Sequence, residues 1–110
     1  MYQELPDNAT KAQYEALLNE TIDIFKNKVM QDDDELSKVI LMQLMDIKEY
    51  IVDKRLLTDE DEIDERYNLG AIAIKNFEGD SDMESRLCDI FGGAIDYASM
   101  PENDNKTTIQ

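Results

Sequence analysis

The side chains in this sequence best placed to do chemistry are carboxylates. Two dense runs stand out, Asp32-Asp33-Asp34-Glu35 and Asp59-Glu60-Asp61-Glu62-Ile63-Asp64-Glu65. A looser set is Glu78, Asp80, Asp82 and Glu84. Carboxylates at this density can bind calcium, work as an acid–base pair, or attract a basic partner. Calcium has a strict loop template, with oxygen ligands at positions one, three and five, glycine at six and glutamate at twelve. Counting from Asp80 puts Ser85 at the glycine position and Phe91 at the glutamate position. Counting from Asp59 puts Ile63 where the third oxygen belongs, and counting from Asp32 puts Leu36 there. All three frames fail. A hydrolytic carboxylate pair carries no information in a chain with 26 Asp and Glu, because such pairs arise anywhere in it.

Other chemistries are removed by missing residue types. The chain has no histidine, which excludes the histidine-dependent nucleophilic triads. One cysteine without histidine cannot supply a tetrahedral zinc site. The Glu-x-x-His pairs of di-iron bundles are absent for the same reason. Gly92-Gly93 is followed by no lysine, so no phosphate loop forms there. Cys88 lies beside the apolar face of the last helical run, with no cluster of positive charge near it in sequence. It reads as a small boundary hydrophobe rather than a nucleophile. The methionines read mainly as core filler, with an adaptable Met-rich surface as the alternative. The expectation is a protein with no catalytic residues, no metal and no cofactor, and not an enzyme.

What remains is electrostatic attraction. Eleven basic residues against 26 acidic ones leave a formal charge of −15. Such a chain is repelled by DNA, RNA and anionic membranes, and is drawn to basic protein surfaces. Each acidic group falls where a helix should start, and carboxylates there complement the helix dipole by a few tenths of a kcal/mol each. One or two acids suffice for that. Longer runs add mutual repulsion that the dipole does not offset. A basic partner accounts for the excess.

The elements that must position these groups are helices. Tyr14, Leu18, Ile22, Phe25 and Val29 recur at spacings of four and three, predicting a first helix over about 9–30 that starts near Asp7-Asn8. Asp33 or Asp34 is placed to cap a second helix over about 35–57, with Leu36, Ile40, Leu44, Ile47 and Ile51 on one stripe. Val39, Met42, Tyr50 and Leu57 widen that stripe on one side and Leu41, Met45 and Val52 on the other, so the helix is either central or covered by a partner. Thr58 with Asp61 resembles a capping box for a third helix carrying Ile63, Tyr67, Gly70, Ile74 and Phe77. Leu69–Ile74 could pass for a strand, but its small residues and flanking period favour helix. Gly79 suits a left-handed helix terminus, and Ser81 with Glu84 suits the start of a fourth helix. Gly92-Gly93 inside that helix allows a kink or a close approach, and Met100-Pro101 ends it.

Short connections imply antiparallel neighbours. The predicted fold is all-α, a single-domain antiparallel bundle of about four helices over 1–100, with a break at Gly70 or Gly92-Gly93 as a variant. Residues 101–110 read as a polar, disordered tail. No segment approaches the ~18 apolar residues of a membrane span. Met1-Tyr2-Gln3-Glu4 carries no signal-like pattern. With one cysteine, the expected location is a reducing cytoplasm. The predicted partner-binding residues are Asp59, Glu60, Asp61, Glu62, Asp64, Glu65 and Tyr67, with Ile63 as nearby apolar support. The rival site, at the other end of the bundle, is Asp32, Asp33, Asp34, Glu35, Asp80 and Asp82.

In size, charge, helical pattern and lack of catalytic residues, the chain resembles the small acidic immunity proteins of bacterial toxin–immunity pairs, including contact-dependent inhibition systems. Asp59–Glu65 and the segment Tyr67–Tyr97 carry the resemblance. The motif of the nuclease-colicin immunity family is not evident. The resemblance implies a cytoplasmic inhibitor that covers the active site or substrate cleft of a basic toxin domain, a nuclease by preference. Two other classes fit the same charge. A nucleic-acid mimic of the anti-restriction or anti-CRISPR type would spread its carboxylates along one face, whereas these are clustered. A non-inhibitory assembly subunit would instead use the apolar second helix.

Overall fold

The structure, a computed structural model, describes residues 2–102. Among them it is all-helical, with no strand. Five α-helices follow in order: α1 Lys11–Asp32, α2 Glu35–Ile47, α3 Glu60–Arg66, α4 Leu69–Asn76 and α5 Ser81–Asp96. A π-helical turn, Lys48–Asp53, extends α2, and a 3-10 turn, Tyr97–Ser99, extends α5. No helix among the described residues is long and apolar enough to cross a membrane.

The helix starts follow local side-chain chemistry, in two cases one residue away from the expected cap. Thr10, not Asp7 or Asn8, caps α1, with Gln13 returning the bond in a full capping box. Asp34 caps α2, accepting from the Ser37 N–H at 2.9 Å. Asp33 closes α1 in the left-handed region, at φ 51°. Asp59 rather than Thr58 caps α3, and Asp80 rather than Ser81 caps α5. An Asp carboxylate reaches the exposed N–H groups as well as a hydroxyl and adds a charge that the dipole favours. Gly79 is not left-handed: no described glycine has positive φ. A hydrogen-bonded turn makes that reversal instead, the Asp80 N–H donating to the Phe77 carbonyl at 2.9 Å.

The predicted third helix is two helices. It breaks at Tyr67-Asn68, two residues before Gly70, because α2 supplies partners at that point. Tyr67 is extended (φ −122°, ψ 147°). The Gln43 side chain accepts from the Asn68 N–H at 3.0 Å and donates to the Asn68 side chain at 2.5 Å. A glutamine amide thus stands in for the lost helical bonds. The stretch from Leu69, read as helix despite its resemblance to a strand, is helical. Gly92-Gly93 does not break α5, which runs through both. The second helix also ends earlier than expected. Its last turn widens into the π-helical segment, Arg55 turns left-handed at φ 53°, and Leu56 is left 73% exposed.

The core is one cluster. Tyr14, Leu18, Ile22 and Phe25 of α1 meet Ile40, Leu44 and Ile47 of α2, Ile63 of α3, Leu69 and Ala73 of α4, and Leu87 and Ile90 of α5. Full burial of each large aliphatic contributes about 2 kcal/mol. The seam between α1 and α5 has a defined order. Lys11 donates to the Met100 carbonyl at 2.5 Å, Tyr14 to the Ile90 carbonyl at 2.7 Å, and Arg86 to Thr21 at 3.0 Å. Residue numbers rise along α1 as they fall along α5. Pro101 and Glu102, the first residues of the expected tail, are tied down. The Lys11 N–H donates to the Pro101 carbonyl at 2.7 Å, and Arg55 forks onto the Glu102 carboxylate at 2.9 and 3.2 Å. Residues 103–110 of that tail lie outside the described residues.

Candidate functional site

Helix α3 is short because its partners, not its own sequence, end it, and nearly all its surface is acidic. Glu60, Asp61, Glu62, Asp64 and Glu65 are exposed, while Ile63 points into the core at 1% exposure. Asp59 is spent on the helix cap, accepting from the Glu62 N–H at 3.0 Å. None of these six carboxylates is ion-paired with a described residue. The one cation on the helix, Arg66, turns away from them. Its Nε and Nη2 donate to the two oxygens of Asp46 on α2, at 2.6 and 3.0 Å. Arg66 also lies over the Tyr50 ring, 5.0 Å from its centre.

Asp46 collects a third donor, the Tyr67 hydroxyl, at 2.5 Å. Hydrogen bonds from Arg66 first, then Tyr67, hold its carboxyl below the ordinary carboxylate value against the opposing effect of burial. Burial, then Asp46, pushes the Tyr67 hydroxyl up. Tyr67, expected among the partner-facing residues, is 3% exposed. It is a core residue and an anchor for α3, and it offers a partner no free surface.

The rival acidic groups are more fully employed. Lys38 bridges Asp33 and Glu35, at 2.7 and 3.2 Å. Asp34 serves as the α2 cap and also accepts from the Ser37 hydroxyl at 2.8 Å, which lowers its pKa. Asp80 caps α5. Asp32 and Asp82 are exposed and unpaired among the described residues. The two groups therefore differ in what they leave over: a continuous acidic helix surface at α3, and scattered single charges elsewhere.

Three features escaped the sequence reading. Gln43 and Asp46 are the first, two polar residues three apart inside the most apolar run of the chain. That interruption was the available signal. The diversion of Arg66 is the second; it depends on a contact between helices distant in sequence. The third is the methionines. Met30, Met42 and Met45 are 82%, 71% and 42% exposed, so they are not core filler; Met83 and Met100 pack against the core.

Chemically, the exposed carboxylates of α3 can attract cations. Among the described residues no three carboxylate or thiol groups converge to hold a metal ion. Cys88 is half-buried against the core, and burial, then Glu84 and Asp89, push its thiol pKa up. A raised thiol is a poor nucleophile at neutral pH. Comparison with protein-family models, with curated proteins and with solved structures gave no match to the chain.

Proposed function

We propose that this chain is a binding protein of the immunity type, which neutralises a basic toxin domain by covering its active site or substrate cleft. The observation that carries this reading is the α3 surface: exposed carboxylates left without cations while the adjacent Arg66 is committed to Asp46. Unpaired like charges on one short helix cost stability, and an opposite surface on a partner removes that cost. They also speed association. The clustering on one short helix favours a compact patch over an extended mimic of nucleic-acid phosphates. The contact residues in this reading are Asp59, Glu60, Asp61, Glu62, Asp64 and Glu65, without Tyr67. The scaffold is read as an antiparallel bundle of about four helices, with α3 and α4 counted as one interrupted helix. The opposite run of α1 and α5 supports that reading. We place the protein in a reducing cytoplasm, on its single cysteine.

The test begins with the product of the neighbouring gene. Expressed alone it should carry a basic domain and arrest growth; expressed with this chain it should not. Reversing Asp61, Asp64 and Glu65 to lysine should slow association and abolish protection, most visibly at low salt. Reversing Asp32, Glu35 and Asp82, which spares the caps Asp34 and Asp80, should matter less. Circular dichroism checks that both variants fold. A harmless neighbour, or protection that survives both triple reversals, overturns the reading.

A further inference from the structure

Residues 2–6 precede the first helix, have no regular structure of their own, and lie across the seam between α1 and α5. Few contacts hold them there. One carboxylate oxygen, Oδ2 of Asp89 on α5, accepts from the Tyr2 hydroxyl at 2.5 Å and from the Leu5 N–H at 3.0 Å. The Arg86 guanidinium lies over the Tyr2 ring, 4.8 Å from its centre. Arg86 is itself fixed on α1, donating to Glu20 at 2.8 Å. Leu5 packs against the core, its Cδ2 3.5 Å from where a Cβ on Gly93 would lie. Gln3, Glu4 and Pro6 are exposed. After Pro6 the chain turns, the Ala9 N–H donating to the Pro6 carbonyl at 3.1 Å, and Thr10 then caps α1.

The segment does not fill the space it lies in. A shallow depression runs along each side of it. One reaches Cys88 and Gly92 on α5, the other reaches Ala16 and Leu17 on α1, and Leu5 and Pro6 wall both. Lifting the segment therefore joins the two depressions into one groove. The forces on it are of similar size. Two bonds to a carboxylate and one leucine contact hold it down, and the backbone entropy of five residues opposes them. Both bonds end on one oxygen, so a single event releases both. A segment with so few buried apolar contacts opens locally while the rest stays folded. We propose that Tyr2–Pro6 is a releasable strap, latched on Asp89 and hinged at the Asp7-Asn8 turn, that closes a groove between α1 and α5. The α3 carboxylates take no part in it.

Amide hydrogen exchange on the full chain, followed by NMR, tests the latch directly. The Leu5 amide should exchange more slowly than in an unstructured peptide, yet faster than the Ile90 amide in the middle of α5. Low urea should leave Leu5 exchange unchanged and speed Ile90 exchange steeply, because lifting the strap bares little surface and unfolding bares much. Tyr2→Phe removes one of the two latch bonds and should speed Leu5 exchange by roughly tenfold. In that variant a thiol reagent should also reach Cys88 faster, and the substitution changes no charge beside that thiol. Circular dichroism checks that the variant stays folded. An unprotected Leu5 amide in the wild type means that nothing is latched. A Leu5 amide with the urea dependence of Ile90 means that the segment opens only with the whole fold. Either result overturns the inference, and so does Leu5 exchange or Cys88 labelling that Tyr2→Phe leaves unchanged.

Discussion

Two adjacent glycines in α5 face opposite demands. A Cβ on Gly93 would lie 2.5 and 2.6 Å from the Cε1 and Cδ1 atoms of Tyr14. That ring cannot retreat. It is fully buried, its hydroxyl is fixed on the Ile90 carbonyl, and the Tyr97 ring stands 5.7 Å away centre to centre. Gly93→Ala should therefore destabilise the fold by about 2 kcal/mol through overpacking. A Cβ on Gly92 meets nothing within 4 Å, and its φ is negative. Gly92→Ala should gain about 0.5–1 kcal/mol of helix propensity. Urea midpoints should move down for the first variant and up for the second. Equal shifts would mean that Tyr14 does not seat on α5 as described. The glycine pair was legible in sequence as a place for a close approach, but not which of the two was approached. That depends on the register of α1 against α5, and the short connections leave the register open.

At the scale of elements, Asp46 is the residue that makes α3 a separate helix. It holds Arg66 and Tyr67 from another helix, while Gln43, one turn earlier on α2, occupies Asn68. Asp46→Asn should cost about 1–2 kcal/mol, with the Asp46 side chain still 29% exposed and partly screened. The pH dependence has a definite sign. The folded carboxyl lies below its ordinary value of 3.8, with Arg66 the main cause. Its stabilisation is complete above that ordinary value and is lost as pH falls through the lowered one. Wild type should lose this contribution as pH drops below about 4, so the gap in melting temperature between wild type and Asp46→Asn should narrow on acidification. Asp34 and Glu102, lowered by Ser37 and Arg55, keep part of the acid response in the variant. Melting curves at neutral and acid pH check this, and a gap that stays constant removes Asp46 from the account. Periodicity made the helical runs legible, since Tyr14 to Phe25 and Ile40 to Ile47 are each a single apolar stripe. It could not show the break at Tyr67, where the local pattern continues unbroken and only the side chains of α2 interrupt it. The acidic run was legible as composition. The stripe that sets Ile63 and Tyr67 on an apolar face was legible too; that Tyr67 is buried too deeply to face a partner was not.

For the whole molecule the deciding quantity is the net charge of −15. Two salt effects oppose each other. Screening weakens the exposed ion pairs, such as Lys54–Glu49 and Lys38–Glu35, but pairs of that kind contribute only about 0–1 kcal/mol each. Screening also weakens repulsion among the surplus carboxylates, which acts between all of them at once. At about 0.01 M salt the screening length is roughly 30 Å, so most acids on a domain of this size repel one another. At about 0.15 M it is roughly 8 Å, and only near neighbours still do. The apolar core responds little over this range. The repulsive sum should win, and the melting temperature should rise by several degrees between those sodium chloride concentrations. Urea rather than guanidinium chloride is the denaturant to use alongside, because guanidinium is itself a screening salt. Reversing Asp61, Asp64 and Glu65 to lysine cuts the net charge by more than a third, so that variant should show a flatter salt response. It should also be more stable than wild type at low salt, since it breaks no described ion pair and leaves the Asp59 cap in place. A melting temperature that falls with salt in the wild type would mean that the ion pairs outweigh the repulsion. The α3 carboxylates would then carry no stability cost for a basic partner to relieve.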